Sequence, residues 1–134
     1  MYAMIKRTQG FTVIEIIFII IILGIASVLF FVQKNDLAVA ARDQQRKTAI
    51  NAMYYGLEEV FYKANNYYPE TINETNLPSV DPALFTDPDG AKIGSSDSNY
   101  RYEATNCTDN KCKAYTLRTT LEKEADYVKT SRNN

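Results

Sequence analysis

The chain has 134 residues, with 15 basic and 16 acidic side chains, two cysteines and no histidine. This length accommodates one domain of ordinary size, and the lack of a basic block argues against a dedicated nucleic-acid site, because such binding depends on clustered Lys and Arg. Without histidine, the commonest general base and metal ligand is missing, so we expect no enzyme activity and no cofactor. A pair of carboxylates is the one catalytic arrangement that this composition leaves open.

Residues 1–10 form a short basic leader, and residues 11–33 form a strongly apolar segment. From Phe11 to Val32 this segment has 22 residues and a single charge, Glu15. As a helix it is ~33 Å long, which is enough to cross a bilayer, and the cations ahead of it predict a cytoplasmic N-terminus. An ordinary secretory signal is the alternative, but the apolar run is longer than such signals and no A-x-A cleavage site follows it.

Residues 34–65 contain no proline and are predicted to form an amphipathic helix. Apolar residues recur there at spacings of three and four, which is typical of a helix with one buried stripe. The stripe consists of Leu37, Ala41, Ala49, Ala52, Met53, Leu57, Val60, Phe61 and Ala64. No turn signal separates this helix from the apolar segment, so we expect one helix from Phe11 to about Asn65. Gly24 and Gly56 are its weak points, each costing ~1 kcal/mol relative to alanine.

Residues 66–134 are predicted to form loops and a small antiparallel sheet, which make a head together with the amphipathic helix. Turn-forming residues and Pro69 end the helix, and residues 70–99 are rich in proline, glycine and aspartate. The period of two in residues 100–104, and less cleanly in 114–121, predicts a β-hairpin. The last ten residues are polar and are expected to be frayed. The predicted fold class is therefore α+β.

The two cysteines, Cys107 and Cys112, lie between the predicted strands in the sequence NCTDNKC. Such a pair binds a metal only with two further ligands, and the neighbourhood offers no histidine and no other cysteine. In an exported domain the pair predicts a disulfide near the tip of the hairpin, worth about 2 kcal/mol by loop entropy. Two free thiols in a cytosolic loop are the alternative.

The leader meets the apolar segment in Lys6-Arg7-Thr8-Gln9-Gly10-Phe11-Thr12-Val13-Ile14-Glu15. This stretch closely resembles the class III signal of type IV prepilins and pseudopilins, in which a basic leader precedes Gly, Phe, Thr, an apolar pair, Glu and a membrane helix. Every element is present and in register. The resemblance covers the first 33 or so residues strongly and the remainder only in layout, and it implies a type IV pilin-like version of the α+β fold.

The resemblance implies that a prepilin peptidase, an integral-membrane aspartyl protease, cleaves between Gly10 and Phe11 on the cytoplasmic side. Phe11 is then expected to be N-methylated, and Glu15 to neutralise the Phe11 amine of a neighbouring subunit. The chain is expected to span the cytoplasmic membrane once, and then to assemble with itself and other pilins into an extracellular filament. An inner-membrane assembly platform and a motor ATPase are its indirect partners. Major pilin, minor pilin and pseudopilin stay open, as do adhesion, twitching motility, DNA uptake and secretion.

Physical chemistry supports the implied roles of Gly10 and Glu15. Glycine has no side chain, so a protease can approach its backbone closely. Cleavage leaves an ammonium group at the positive end of a helix dipole, and a carboxylate from an adjacent helix relieves this unfavourable placement. The alternative for Glu15 is a side chain that merely reaches the lipid head groups. The alternative for the chain is a monomeric, membrane-anchored binding module, which has no need of Glu15.

Three weaker signals complete the sequence. Asp87 and Asp89 stand in a DPDG turn and are weak calcium candidates, since some pseudopilins bind calcium in a loop near here; the spacing does not match an EF-hand, and a plain turn is the favoured interpretation. The ten tyrosines are expected to be half-buried rather than an adhesive surface. Glycosylation sequons at residues 73–75 and 106–108 are too common a pattern to carry an interpretation.

Overall fold

The computed structural model describes residues 10–133, so the predicted leader lies outside the described residues except for Gly10. The chain divides into two units, Met1–Leu37 and Ala38–Asn134. Helix α1 spans Val13–Tyr55, a π-helical turn follows at Gly56–Phe61, and helix α2 spans Tyr62–Asn65. The long helix predicted to end near Asn65 is therefore confirmed. It begins two residues later than predicted.

In the first unit, α1 carries the apolar segment with its side chains exposed. From Val13 to Val32 the large apolar side chains are between 44% and 77% exposed. The helix runs through Gly24 without interruption, and the Ser27 hydroxyl donates a hydrogen bond of 2.7 Å to the Leu23 carbonyl. Within the described residues, one helix is long and apolar enough to cross a membrane, and this segment supplies its apolar part.

The second unit contains a four-stranded antiparallel sheet. Its strands are β1 (Tyr68–Pro69), β2 (Tyr100–Thr108), β3 (Lys111–Thr119) and β4 (Tyr127–Thr130). Strand β3 is central, because β2 pairs along its whole length while β1 and β4 pair with its two ends. The predicted hairpin is confirmed and is longer than its sequence period indicated, since Cys107 pairs with Cys112 and Thr108 pairs with Lys111.

The expectation that the last ten residues are frayed is wrong for β4. This strand pairs with residues 116–119 of β3, and the Tyr127 hydroxyl donates a 3.0 Å hydrogen bond to Asn51 Oδ1 on α1. Four polar-flanked residues are too few to show a strand period, so only their pairing with β3 identifies them. The structure is thus an α+β arrangement in which the C-terminal part of a long helix packs against a small antiparallel sheet.

The buried stripe of the helix is shorter than predicted. Ala49, Met53 and Leu57 are buried as expected, but Leu37 is 71% exposed and Val60 is 48% exposed. Leu37 belongs to the first unit, whose large apolar side chains are exposed. The π-helical turn changes the helical period at Gly56, so Val60, which lies within it, no longer follows the spacing of the stripe.

Gly56 allows a close approach between the helix and the loop that carries Ser79 and Val80. A Cβ at this position would lie 2.7 Å from Val80 Cγ2 and 3.3 Å from Ser79 Oγ. The buried core lies on the same side and consists of Ala49, Ile50, Met53, Leu57, Tyr68, Ile72, Leu77, Val80, Phe85, Tyr100, Cys112, Tyr115 and Leu117. A residue predicted to be a weak point of the helix is therefore a packing requirement of the second unit.

Candidate functional site

The Gly10–Phe11 peptide bond lies in exposed, non-helical chain immediately before α1. Gly10, Phe11 and Thr12 all precede the helix, and Phe11 is 72% exposed. No atom lies within 4 Å of the position that a Cβ on Gly10 would take. The described chain thus leaves this bond exposed.

Thr12 and Glu15 form a capping box at the start of α1. The Thr12 N–H donates to Glu15 Oε2 at 3.5 Å, and the Glu15 N–H donates to Thr12 Oγ1 at 3.4 Å. Both distances exceed the usual range of about 2.7–3.2 Å for such bonds, so the carboxylate is held weakly. The sequence prediction missed this role for Glu15, although the T-x-x-E spacing is the signal that identifies it.

The structure brings the predicted site residues of the first unit together. Gly10, Phe11, Thr12 and Glu15 line one surface cleft of about 410 Å³. The carboxylate of Glu15 lies in the first helical turn, where the positive end of the helix dipole favours an anion. The accessible bond and the single acid of the apolar segment therefore share one place on the surface.

Cys107 and Cys112 form a disulfide, as predicted. The two residues stand directly opposite each other in β2 and β3, with their Cα atoms 3.9 Å apart. Cys112 is fully buried, and the ring encloses the tight turn at Asp109 and Asn110, both of which have positive φ. The bond therefore staples the hairpin at its tip.

The two weak calcium candidates are engaged by the protein itself. Asp87 accepts hydrogen bonds from the backbone N–H groups of Asp89 (3.0 Å), Ala91 (2.9 Å) and Asn99 (2.7 Å). Burial opposes ionisation of Asp87, but these N–H groups outweigh it and lower the pKa of the carboxyl. Among residues 10–133, no group of three or more His, Cys, Asp and Glu side chains is placed to hold a metal ion.

An ion-pair cluster around Arg46 escaped the sequence prediction. Arg46 is 3% exposed, and its guanidinium donates to Asp43 (2.9 Å), Glu122 (2.9 Å) and Asp89 (3.0 Å). Arg42 also forms a bidentate pair with Glu122, at 2.6 and 2.7 Å. The cluster ties α1 to the turn at Asp89 and to the segment between β3 and β4.

Glu58 is also buried, although it is a charged residue of the amphipathic helix. Its carboxylate accepts hydrogen bonds from the hydroxyls of Tyr115 (2.8 Å) and Tyr68 (3.0 Å) and from the backbone N–H of Arg132 (3.2 Å). Burial, together with the hydrogen bond to Glu58, raises the pKa of Tyr115. The expectation of half-buried tyrosines is wrong for Tyr68, Tyr100 and Tyr115, which are buried.

Comparison with known proteins adds no assignment to this geometry. No protein-family model, curated protein or solved structure matches this chain. The functional argument therefore starts from the residues at the N-terminal end of α1 and from the surface of the second unit.

Proposed function

We propose that this chain is the precursor of a structural subunit of a type IV pilus or pilus-like filament. The carrying observation is an exposed apolar helix face, Val13 to Val32, with one carboxylate in its first turn beside an accessible Gly10–Phe11 bond. In this proposal a prepilin peptidase cleaves after Gly10, Phe11 becomes the methylated N-terminus, and the helix packs against its copies in the core of the filament.

An exposed apolar helix by itself fits a plain membrane anchor equally well, because lipid covers it as readily as another helix does. Glu15 distinguishes the two functions. A charged side chain at the centre of a membrane helix costs about 2.5 kcal/mol or more, and a smaller cost applies near the end where Glu15 stands. An anchor gains only the capping contact with Thr12 from Glu15, whereas assembly also gains a fixed charge pair that sets the register between subunits.

The capping box supports this role for Glu15. It holds the carboxylate at the N-terminal turn, close to the position where cleavage would create the Phe11 ammonium. Its long, weak hydrogen bonds leave the carboxylate free to exchange the Thr12 N–H for an ammonium group from a neighbouring subunit. In the new pair both groups are charged, whereas in the 3.5 Å contact with the Thr12 N–H only the acceptor is charged.

The remaining elements of the proposal follow from this assembly. Before cleavage the chain spans the cytoplasmic membrane once, with the leader in the cytoplasm and the second unit outside. An inner-membrane assembly platform and a motor ATPase supply the work of extracting the helix. The subunit itself is structural, and no catalytic residue is assigned to it.

Intact-mass spectrometry of the protein from membranes of its native cell tests this function. We expect the mass of the chain from Phe11 onward plus one methyl group. Gly10→Val should leave the chain uncleaved, because a branched side chain obstructs the approach to the peptide bond. Gly24→Ala, which lies outside the cleavage site, should be processed normally. Wild-type protein that keeps Met1 to Gly10 would contradict the proposal.

A monomeric, membrane-anchored binding module is the second candidate. One observation favours it: the second unit carries a cleft of about 510 Å³ between α2 and the tip of the hairpin. The two functions differ in what happens after membrane insertion. A binding module stays monomeric in the membrane with its leader attached, whereas a filament subunit is recovered as a shortened chain in sheared surface filaments.

A further inference from the structure

We propose that a different cleft of the second unit, between α1 and the loop ahead of β2, binds a small uncharged ligand that is mostly apolar and carries one hydroxyl group. This cleft has a volume of about 350 Å³, at the lower end of the usual range of about 300–1,000 Å³ for small-molecule sites. All of its lining residues belong to the second unit, so the proposal depends neither on cleavage nor on filament assembly.

The cleft is lined by a buried tyrosine whose hydroxyl has no partner. Tyr100, the first residue of β2, is 1% exposed, and within residues 10–133 no group forms a hydrogen bond with its hydroxyl. Other tyrosines of the core differ in this respect. The Tyr115 hydroxyl donates to Glu58, and the Tyr102 hydroxyl donates to the Pro69 carbonyl at 2.6 Å. Because buried polar groups are nearly always paired, the Tyr100 hydroxyl needs a partner that the described chain does not supply.

The Tyr100 hydroxyl opens to the cleft and is not sealed in the core. Among the described side chains, the one unpaired nitrogen or oxygen atom that is fully enclosed is Arg46 Nε. The unpaired Tyr100 hydroxyl is therefore not enclosed, and the cleft is the surface that its ring lines. Burial, and then the charge of Asp87, raise the pKa of Tyr100 to about 12, so the hydroxyl keeps its proton and can donate a hydrogen bond.

Apolar side chains make up much of the remaining lining, and the fold holds them in place. Ala49 on α1 is buried, and Leu84 and Pro88 on the facing loop are half-buried. Leu84 belongs to a 3-10 turn at Pro82–Phe85, which Asp81 caps by accepting a backbone N–H at 2.9 Å. Walls that are fixed before a ligand arrives lower the entropic cost of binding.

Charged ligands and wholly apolar ligands fit this cleft less well. Among the described residues, no Lys or Arg lines it, so an anion would be buried there without a counter-charge. The carboxylate of the lining, Asp87, already accepts three backbone N–H groups, so most of its lone pairs are taken and little is left for a cation. A wholly apolar ligand leaves the Tyr100 hydroxyl unpaired. An apolar body with one hydroxyl satisfies both the walls and Tyr100.

NMR titration of the full-length chain in phosphocholine micelles tests this site. The probes are phenol and cyclohexanol, with toluene as the apolar analogue and with benzoate and benzylamine as charged controls. We expect saturable shifts of the Ala49 and Leu84 methyl signals with at least one of the two hydroxyl compounds and with neither charged compound. The micelle concentration is held constant, so partitioning of a probe into the micelles is the same for every variant.

Tyr100→Phe is the matched variant, because it removes the hydroxyl and keeps the ring. This change breaks no hydrogen bond of the described chain, so the fold should persist. Binding of the hydroxyl compounds should weaken at least fivefold, whereas the weaker binding of toluene should be unchanged. Tyr102→Phe removes a hydroxyl from the same strand, outside the cleft lining, and should leave binding of every probe unchanged.

Four results would overturn the proposal. The first is that neither hydroxyl compound binds saturably, and the second is that benzoate or benzylamine gives the same shifts. The third is that Tyr100→Phe binds the hydroxyl compounds as tightly as the wild type. The fourth is that Tyr102→Phe weakens their binding as much as Tyr100→Phe does.

Discussion

In the first unit, the large apolar side chains from Val13 to Val32 are 44% to 77% exposed, whereas in the second unit Ile50, Met53 and Leu57 of the same helix are fully buried. The part of the helix from Val13 to Val32 thus needs lipid or other helices to cover it. The part from Ile50 to Leu57 is covered by the rest of the second unit. Charge follows the same division. Glu15 has only its capping contact in the described chain, while Arg46 has three carboxylate partners. A substitution in the first unit should therefore affect assembly, whereas a substitution in the second unit should affect folding.

The largest effect is expected at Glu15, on assembly alone. Glu15→Gln keeps the capping box, since Gln also serves at this helix position, but it removes the charge that would pair with the Phe11 ammonium. We expect normal cleavage and no filaments, both for Glu15→Gln and for Glu15→Ala. Electron microscopy of sheared surface material, with mass spectrometry for cleavage, measures this. Normal filaments from Glu15→Gln would refute the charge-pair role.

The next largest effect is expected at Arg46, on folding. Arg46→Met leaves Asp43 buried without its cation, and breaking a buried pair in this way costs about 3–5 kcal/mol. Arg118→Met is the control, because Arg118 and its partner Glu103 are 44% and 56% exposed and such a pair contributes about 0–1 kcal/mol. Urea unfolding of the full-length chain in micelles, followed by tyrosine near-UV circular dichroism, measures both. Equal losses in the two variants would show that burial of Arg46 is unimportant.

A glycine-to-alanine change at two places in the helix sharpens the comparison. Gly56→Ala puts a Cβ 2.7 Å from Val80 Cγ2, and overpacking of this kind costs about 1–3 kcal/mol. Gly24→Ala meets no atom within 4 Å and should leave unfolding of the second unit unchanged. The same unfolding experiment decides, and a stable Gly56→Ala protein would mean that the loop at Val80 moves away without cost.

The smallest effect is expected for the loss of stability at acid pH when Glu122 is replaced. Hydrogen bonds from Arg42 and then Arg46 lower the pKa of Glu122 to about 2, against about 4.3 in an unfolded chain. Because the folded pKa is the lower one, this contribution is complete above about pH 4.3 and is lost as the pH falls towards 2. Glu122→Gln should flatten the decline in stability over that interval, and Glu103→Gln should not. An unchanged slope in Glu122→Gln would contradict the lowered pKa.

Local sequence signals predicted much of the fold correctly. The helix ends at Asn65, where asparagines and Pro69 follow, and Cys107 pairs with Cys112 across a tight turn. These features depend on residues close together in the chain, so a short stretch of sequence is enough to predict them. The T-x-x-E capping box at Thr12 is equally local and could have been predicted in the same way.

The sequence by itself determined that one end of the chain is an apolar helix with a single acid, because composition and spacing within about 20 residues decide whether a helix can lie in lipid. Only the tertiary structure decided that Arg46 and Glu58 are buried. Their partners Glu122 and Tyr115 lie 76 and 57 residues away, and a charge is buried only where such partners converge on it.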